Sequence, residues 1–212
     1  MKVALINGSP KKKYSASSVL LRDLSSCLPG SVELVNCHFR LPQISQEDWE
    51  QLSGVEVLVF AFPLYVDGLP SHFLSCLEQL DQYYNQERPE QDILVYALVN
   101  CGFYEGEQTK LALEILKNWC GKANLTWGQG IGIGSGGLIT ALENIPQGKG
   151  LKKNIDKALQ NLAKLITGRQ SASDVYVTHN LPRFVYKKMV ELYWRQLARN
   201  NGLTPKDLSR KL

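Results

Sequence analysis

The chain has 212 residues, of which 44% are hydrophobic and 21% are charged, a composition typical of a globular domain rather than a disordered or fibrous one. No apolar segment reaches the roughly 18 residues that cross a bilayer, and the N-terminal apolar run is too short for a signal peptide, so we expect a cytoplasmic protein. The net charge is +4, but residues 183–212 carry eight basic and two acidic residues, against 16 and 18 in residues 1–182. A near-neutral body with a basic tail argues against a nucleic-acid-binding domain.

The cysteines predict free thiols and no metal site. They are odd in number and widely spaced, and the sequence contains no CxxC pair that would indicate a zinc or iron–sulfur site. A reducing compartment is consistent with this pattern. The five residues are Cys27, Cys37, Cys76, Cys101 and Cys120.

Strand and helix patterns alternate along the chain. Short apolar runs predict five buried strands, at residues 3–6, 32–35, 55–62, 93–99 and 125–133. Apolar residues at helical spacing predict helices between and after them, at residues 17–27, 46–52, 71–83, 107–120 and 151–166. This alternation predicts an α/β fold in which a doubly wound five-stranded parallel sheet carries helices on both faces.

The last part of the chain has a different pattern. After residue 182, apolar and basic residues follow each other at helical spacing. We therefore divide the chain into a domain of residues 1–170 and a basic amphipathic helical extension of residues 171–212. Packing of this helix on the same domain or on a second subunit is favoured over contact with an acidic membrane surface.

The segment between the first strand and the first helix is rich in serine and lysine. A helix N-terminus offers unpaired N–H groups and a partial positive charge, so hydroxyls and lysines beside it favour a bound phosphate. Neither GxGxxG nor GxxxxGK[ST] occurs here, and hydroxyl donors suit a terminal phosphomonoester better than a bridging pyrophosphate. The alternative is that these serines only cap the helix. The candidate phosphate-binding residues are Ser9, Ser15, Ser17 and Ser18.

The loops after the third and fourth predicted strands are apolar and aromatic. In doubly wound sheets the ligand lies outside the carboxyl ends of the strands, where these loops converge. A flat isoalloxazine ring needs apolar faces and backbone groups at its edges, whereas the alternative is ordinary packing under a long turn. The residues predicted to frame a ring are Pro63, Leu64, Tyr65, Val66, Asp67, Asn100, Cys101, Gly102, Phe103 and Tyr104.

Three segments resemble those of the flavodoxin-like NAD(P)H-dependent FMN reductases. NGSPKKKYSAS resembles their phosphate loop, PLYVDGLPS their isoalloxazine and ribityl loop, and NCGFYE the loop whose amides face the pyrimidine edge of the ring. Ala16 departs from the family, which commonly has Asn there. The resemblance covers residues 1–170 and implies the strand order 2-1-3-4-5, FMN as bound cofactor, NAD(P)H as co-substrate and a homodimer.

The resemblance implies an oxidoreductase that accepts hydride from NAD(P)H and passes electrons to a small acceptor, namely a quinone, a nitro or azo compound, or free flavin. We assign no catalytic side chain, because the flavin carries the chemistry. The alternative is a non-enzymatic flavodoxin-type electron carrier between protein partners. Such carriers tend to be strongly acidic, whereas the sequence pI here is 8.7.

Three further features have ambiguous meanings. The glycine-rich stretch from Gly128 to Gly137 resembles a nucleotide-binding pattern only superficially, and a flexible rim near the ligand is the favoured interpretation. His72 lies near the proposed site, but a capping or surface role is favoured. Cys101 is not expected to be a redox thiol, because nothing nearby in sequence lowers its pKa.

Overall fold

The computed structural model describes residues 1–12, 14–86, 91–204 and 207. They form two compact units, Met1–His179 and Asn180–Leu212. The strands are β1 (Lys2–Asn7), β2 (Glu33–His38), β3 (Val57–Pro63), β4 (Leu94–Asn100), β5 (Thr126–Ile133) and β6 (Val175–Val177). The helices are α1 (Ala16–Ser25), α2 (Gln46–Leu52), α3 (Ser71–Gln86), α4 (Lys110–Lys122), α5 (Gly136–Ala141), α6 (Lys153–Thr167) and α7 (Arg183–Asn200).

The strands form one parallel sheet in the order β2-β1-β3-β4-β5-β6. The first five strands have the predicted order, but the prediction of a five-stranded sheet was wrong. β6 pairs with β5 from Ile131 to Ile133, at the edge of the sheet. Its three residues are too few to produce a recognisable apolar period, and they lie in the segment that was assigned to the C-terminal extension.

Alternation along the central strands creates two apolar cores. Leu58 and Phe60 of β3 point to the face covered by α2, α3 and α4, whereas Val57 and Val59 point to the face covered by α1 and α6. β3 and β4 are buried on both sides, which explains why their sequences read as continuous apolar runs rather than alternating ones.

The five predicted helices of the first unit are all present, and α5 is an addition. α4 begins later than predicted because a single 3-10 turn occupies Gly106–Thr109. α5 is short and begins with two glycines, so its sequence has no helical signal. Among the described residues, no helix combines the length and the apolar character that crossing a membrane requires.

The second unit contains α7, which lies in the segment predicted to be an amphipathic helix. Its aromatic side chains Tyr193 and Trp194 are exposed and have ring centroids 6.4 Å apart. What this helix packs against stays a prediction.

The glycine-rich stretch after residue 128 is explained by close packing. A methyl group added at Gly130 would lie 2.6 Å from a methyl carbon of Leu113 on α4. At Gly134 it would overlap the backbone carbonyl of Tyr104. These two glycines therefore let β5 and the loop after it approach the neighbouring chain segments without side-chain overlap.

We expect Gly134→Ala to lower the free energy of unfolding by about 1–3 kcal/mol, because backbone atoms cannot move aside as a side chain can. Gly137→Ala is the matched control, since no atom lies within 4 Å of its added methyl group. In the control, we expect the free energy of unfolding to rise by up to about 1 kcal/mol, because alanine restricts the unfolded chain more than glycine does. Urea unfolding of both variants measures the difference, and equal effects would contradict this account of the glycines.

Candidate functional site

The carboxyl ends of β1, β3 and β4 lie side by side, so the three predicted loops meet at one edge of the sheet. We call them loop 1 (residues 8–15), loop 3 (residues 64–70) and loop 4 (residues 101–105). Backbone hydrogen bonds join their bases: Gly8 N donates to Ala61 O at 2.8 Å, and Leu64 N donates to Asn100 O at 2.8 Å. The structure thus brings the predicted site residues together at this edge, within the part of the chain that it describes.

The side chain of Asn100 connects the loops from below. Its Nδ2 donates to Ser17 Oγ at 3.3 Å and to the carbonyl of Phe62 at 3.2 Å, and the residue is buried. One amide therefore joins the end of β4 to the end of β3 and to the first turn of α1. The sequence predicted Asn100 as part of a ring-framing loop and contained no signal for this connecting role.

Two of the four predicted phosphate-binding serines cap α1. Ser15 Oγ accepts a hydrogen bond from Ser18 N, and Ser18 Oγ accepts one from Ser15 N, both at 3.1 Å. This reciprocal pair is a capping box, which satisfies two of the N–H groups that a helix leaves unpaired at its start. For Ser15 and Ser18, the capping alternative considered above is what the structure displays.

The other two serines, Ser9 and Ser17, have hydroxyl protons that could be donated to a ligand. Ser9 Oγ accepts from Lys11 N at 3.4 Å, and Ser17 Oγ accepts from Asn100, and both serines are buried. Within the described residues, neither hydroxyl has an acceptor for its own proton, and the N–H groups of Ala16 and Ser17 have none either. These donors lie on loop 1 and in the first turn of α1, where the helix dipole favours a negative charge.

Two histidines that the sequence did not single out for this role hold loop 1. His38 Nε2 lies 3.0 Å from Ser9 O, and His72 Nε2 lies 3.1 Å from Gly8 O, so successive carbonyls of loop 1 accept from imidazoles. Burial lowers the pKa of His72, although its hydrogen bonds to the carbonyls of Gly8 and Phe39 act in the opposite direction. His38 reaches loop 1 because β2 pairs with β1 and places it opposite Asn7.

Loop 3 is a tight hairpin with an exposed tip. Tyr65 and Gly68 exchange two backbone hydrogen bonds of 3.0 Å, and Val66 and Asp67 between them have φ values of 48° and 57°. The side chain of Val66 is fully exposed, and Tyr65 is 45% exposed. A β-branched residue with positive φ is rare and strained, and such strain is concentrated at functional sites. Pro63 ends β3, and Leu64 and Asp67 belong to loop 3; that these residues frame a ring stays a prediction.

Loop 4 is held by the start of α5. Cys101 N donates to Ile133 O at 2.9 Å, and Cys101 O accepts from Gly136 N at 2.7 Å. Burial raises the pKa of the Cys101 thiol, which favours an inert thiol at neutral pH. Phe103 is 54% exposed, between Gly102 and Tyr104 of the same loop.

All five cysteines are free, and no group of three or more His, Cys, Asp or Glu among the described residues is arranged to hold a metal ion.

Comparison with known proteins identifies the fold. No family model matches the sequence, and no curated protein matches it either. The solved NAD(P)H:quinone oxidoreductase from Methanothermobacter marburgensis superposes with a TM-score of 0.57 at 12% identity, over 78% of this chain and 96% of that one. An NADH:FMN oxidoreductase in its apo form gives a TM-score of 0.58 at 14% identity, over 81% and 90% of the two chains.

An NADPH-quinone reductase from P. pentosaceus gives a TM-score of 0.50 at 11% identity, over 71% of this chain and 100% of that one. These likenesses agree with the strand order 2-1-3-4-5 of the first five strands. The chain has a flavodoxin-like fold. The fold implied by the sequence resemblance is thereby confirmed.

In flavodoxin-like sheets the strand order reverses between β1 and β3, and ligands bind at that switch point. Loops 1 and 3 flank it here.

A buried ion cluster holds α1 against the turn that precedes α6. Lys152 Nζ lies 2.7 Å from Asp23 Oδ2 and 4.0 Å from Asp156 Oδ1, and all three residues are buried. His179 is 2% exposed, and its Nδ1 has no hydrogen-bond partner among the described residues. Burial, aided by the positive charge of Lys152, lowers the pKa of His179 from 6.5 to about 4.

We expect His179 to make the first unit less stable in acid. Between pH 6.5 and about 4 the unfolded imidazole binds a proton that the folded one does not, so the free energy of unfolding falls as the pH falls. The loss approaches on the order of 3 kcal/mol below this window. Chemical denaturation of the wild type and of His179→Gln at pH 7.5, 6, 5 and 4 measures it. Parallel pH profiles of the two proteins would contradict the assignment.

Proposed function

We propose that the protein binds FMN non-covalently and acts as an NAD(P)H-dependent oxidoreductase. The observation that carries the proposal is a set of four donors without an acceptor among the described residues, on loop 1 and in the first turn of α1, next to the switch point of a flavodoxin-like sheet. An anion bound there would satisfy buried donors that the described residues leave without an acceptor. The resemblance of the three loops to those of FMN reductases supports the choice of FMN as that anion's source.

The phosphate of FMN is assigned to Ser9, Ser17 and the N–H groups of Ala16 and Ser17. All four groups are donors, which suits the acceptor oxygens of a phosphomonoester, and the N-terminal end of the helix dipole stabilises its negative charge. Ser15 and Ser18 contribute indirectly, because their capping box fixes the first turn of α1. His38 and His72 fix the other end of loop 1 through its carbonyl groups.

Loops 3 and 4 are the proposed frame of the flavin ring. Tyr65 and Phe103 expose aromatic surface at the carboxyl edge of the sheet, and a flat ring would remove that surface from water. When bound, FMN supplies hydride acceptance from a nicotinamide and electron transfer to an acceptor. The chain's own part is to bind and orient the ring. The raised pKa of Cys101 gives no support for thiol chemistry beside it.

The donor and the acceptor follow from the same proposal. Structures of the same fold are named NAD(P)H:quinone oxidoreductase and NADH:FMN oxidoreductase, which supports a nicotinamide donor. A quinone, a nitro or azo compound, or free flavin is the proposed acceptor. The homodimer, the cytoplasmic location and the absence of a nucleic-acid partner stay predictions.

A non-enzymatic electron carrier is the second candidate, because it has the same fold. The sequence pI of 8.7 argues against it, since flavodoxin-type carriers tend to be strongly acidic. Anaerobic addition of NADPH or NADH to the FMN-loaded protein separates the two functions. A reductase bleaches the flavin absorbance without a partner protein, whereas a carrier stays oxidised.

The four serines should differ in a titration with FMN. We expect Ser17→Ala to weaken FMN binding about tenfold, because it removes a buried donor worth about 1–2 kcal/mol to a charged acceptor. Ser15→Ala is the matched comparison: it removes the cap and lowers the free energy of unfolding by about 1 kcal/mol. Flavin fluorescence titration and thermal unfolding measure the two effects.

The proposal fails if the wild type does not retain FMN, or if Ser17→Ala binds it as tightly as the wild type does. A loss of affinity that only follows the loss of stability in both variants would also count against the assignment of Ser17.

A further inference from the structure

Three basic residues stand on two neighbouring segments next to the proposed phosphate site. Lys11 and Lys12 belong to loop 1, and Arg40 follows β2 directly. The two segments are joined, since Phe39 N donates to Asn7 O at 2.9 Å and His38 Nε2 lies 3.0 Å from Ser9 O. We call Lys11, Lys12 and Arg40 the basic rim.

The described residues provide the rim with no counter-charge. Across residues 1–12, 14–86, 91–204 and 207, no carboxylate lies within 4.0 Å of any of its three cations. The acid on the neighbouring segment, Asp48, is engaged elsewhere, because its two oxygens accept from His38 N and Ser45 Oγ. Lys11 and Lys12 are exposed and Arg40 is half-buried, so the positive charge is directed outward.

The rim is not needed for the phosphate of FMN. That group is provided with two backbone N–H groups and two buried hydroxyls, which is at least one donor for each of its three terminal oxygens. Unpaired cations beside an occupied anion site are suited to a second anion. NADPH and NADH differ by one phosphomonoester, on the 2′-oxygen of the adenosine, and such a group carries a charge of about −1.5 to −2 at neutral pH.

We infer that the electron donor is NADPH rather than NADH, and that the basic rim binds its 2′-phosphate. This inference rests on the proposed function and adds to it the choice of coenzyme and the residues that make that choice. It assigns to Lys11, Lys12 and Arg40 a role in specificity rather than in holding FMN.

The binding test uses the protein saturated with FMN and needs no turnover. Calorimetry compares adenosine 2′,5′-bisphosphate with AMP for the wild type, Lys11→Glu/Lys12→Glu and the control Lys117→Glu/Lys122→Glu. The control changes the net charge equally, but its lysines are exposed on α4 and lie toward the end that leads into the start of β5, away from the loops. We expect the wild type and the control to prefer the bisphosphate at least tenfold, and the rim variant to lose this preference.

Steady-state kinetics provides the second readout. The rim variant should lose about tenfold or more in kcat/KM for NADPH, the equivalent of at least one charge-assisted contact, and less than twofold for NADH. Equal use of the two coenzymes by the wild type would overturn the inference. So would an equal fall for both coenzymes, or for both adenosine probes, since either would place the rim on a group that NADH shares.

The two proposals fail differently. If neither coenzyme bleaches the flavin, the reductase proposal is wrong, and the adenosine probes still decide whether the rim recognises a 2′-phosphate. If both coenzymes bleach the flavin at the same rate, the reductase proposal stands and the inference about the donor is wrong.

Discussion

The carboxyl edge of the sheet depends on one buried amide. Asn100 donates both of its described side-chain hydrogen bonds to groups on other elements, one to Ser17 on α1 and one to the carbonyl of Phe62 at the end of β3. Buried polar groups are stable only when they are paired, so the amide requires these two elements at fixed positions. The approach of Gly136 is part of the same constraint, since a Cβ there would lie 3.2 Å from Asn100 Oδ1.

Loop 1 and the first turn of α1 contain serines in two different hydrogen-bonding arrangements. Ser15 and Ser18 hydrogen-bond to each other's backbone, which is a local interaction within one helical turn. Ser9 and Ser17 have hydroxyl protons that find no acceptor among the described residues. The difference between the two pairs is the presence of a local hydrogen-bond partner and not burial, since Ser15 is buried as well. Composition alone indicates only that hydroxyls are abundant beside a helix N-terminus.

The parts of the structure that were predictable from sequence are those with local causes. Apolar runs indicated β1 to β5, helical spacing indicated the helices between them, and the position of loops 1, 3 and 4 followed from the parallel sheet. The features that were missed depend on distant residues. His38 meets Ser9 only because β1 and β2 pair, and Lys152 meets Asp23 although 129 positions separate them. β6 and α5 are too short, at three and six residues, for periodicity to reveal them.

The sixth strand also affects the tendency of the sheet to aggregate. An edge strand exposes a row of unpaired backbone groups and is a template for aggregation. β5 is apolar, glycine-rich and buried from Gly128 to Ile133, and would be such a template if it formed the edge. β6 covers the stretch from Ile131 to Ile133. Because it has only three residues, it exposes few unpaired backbone groups of its own to another chain. A shortened protein that ends before Val175 would therefore keep loops 1, 3 and 4 and yet have an unprotected sheet edge. β6 thus protects the edge of β5 from pairing with another chain. This role is separate from that of loops 1, 3 and 4.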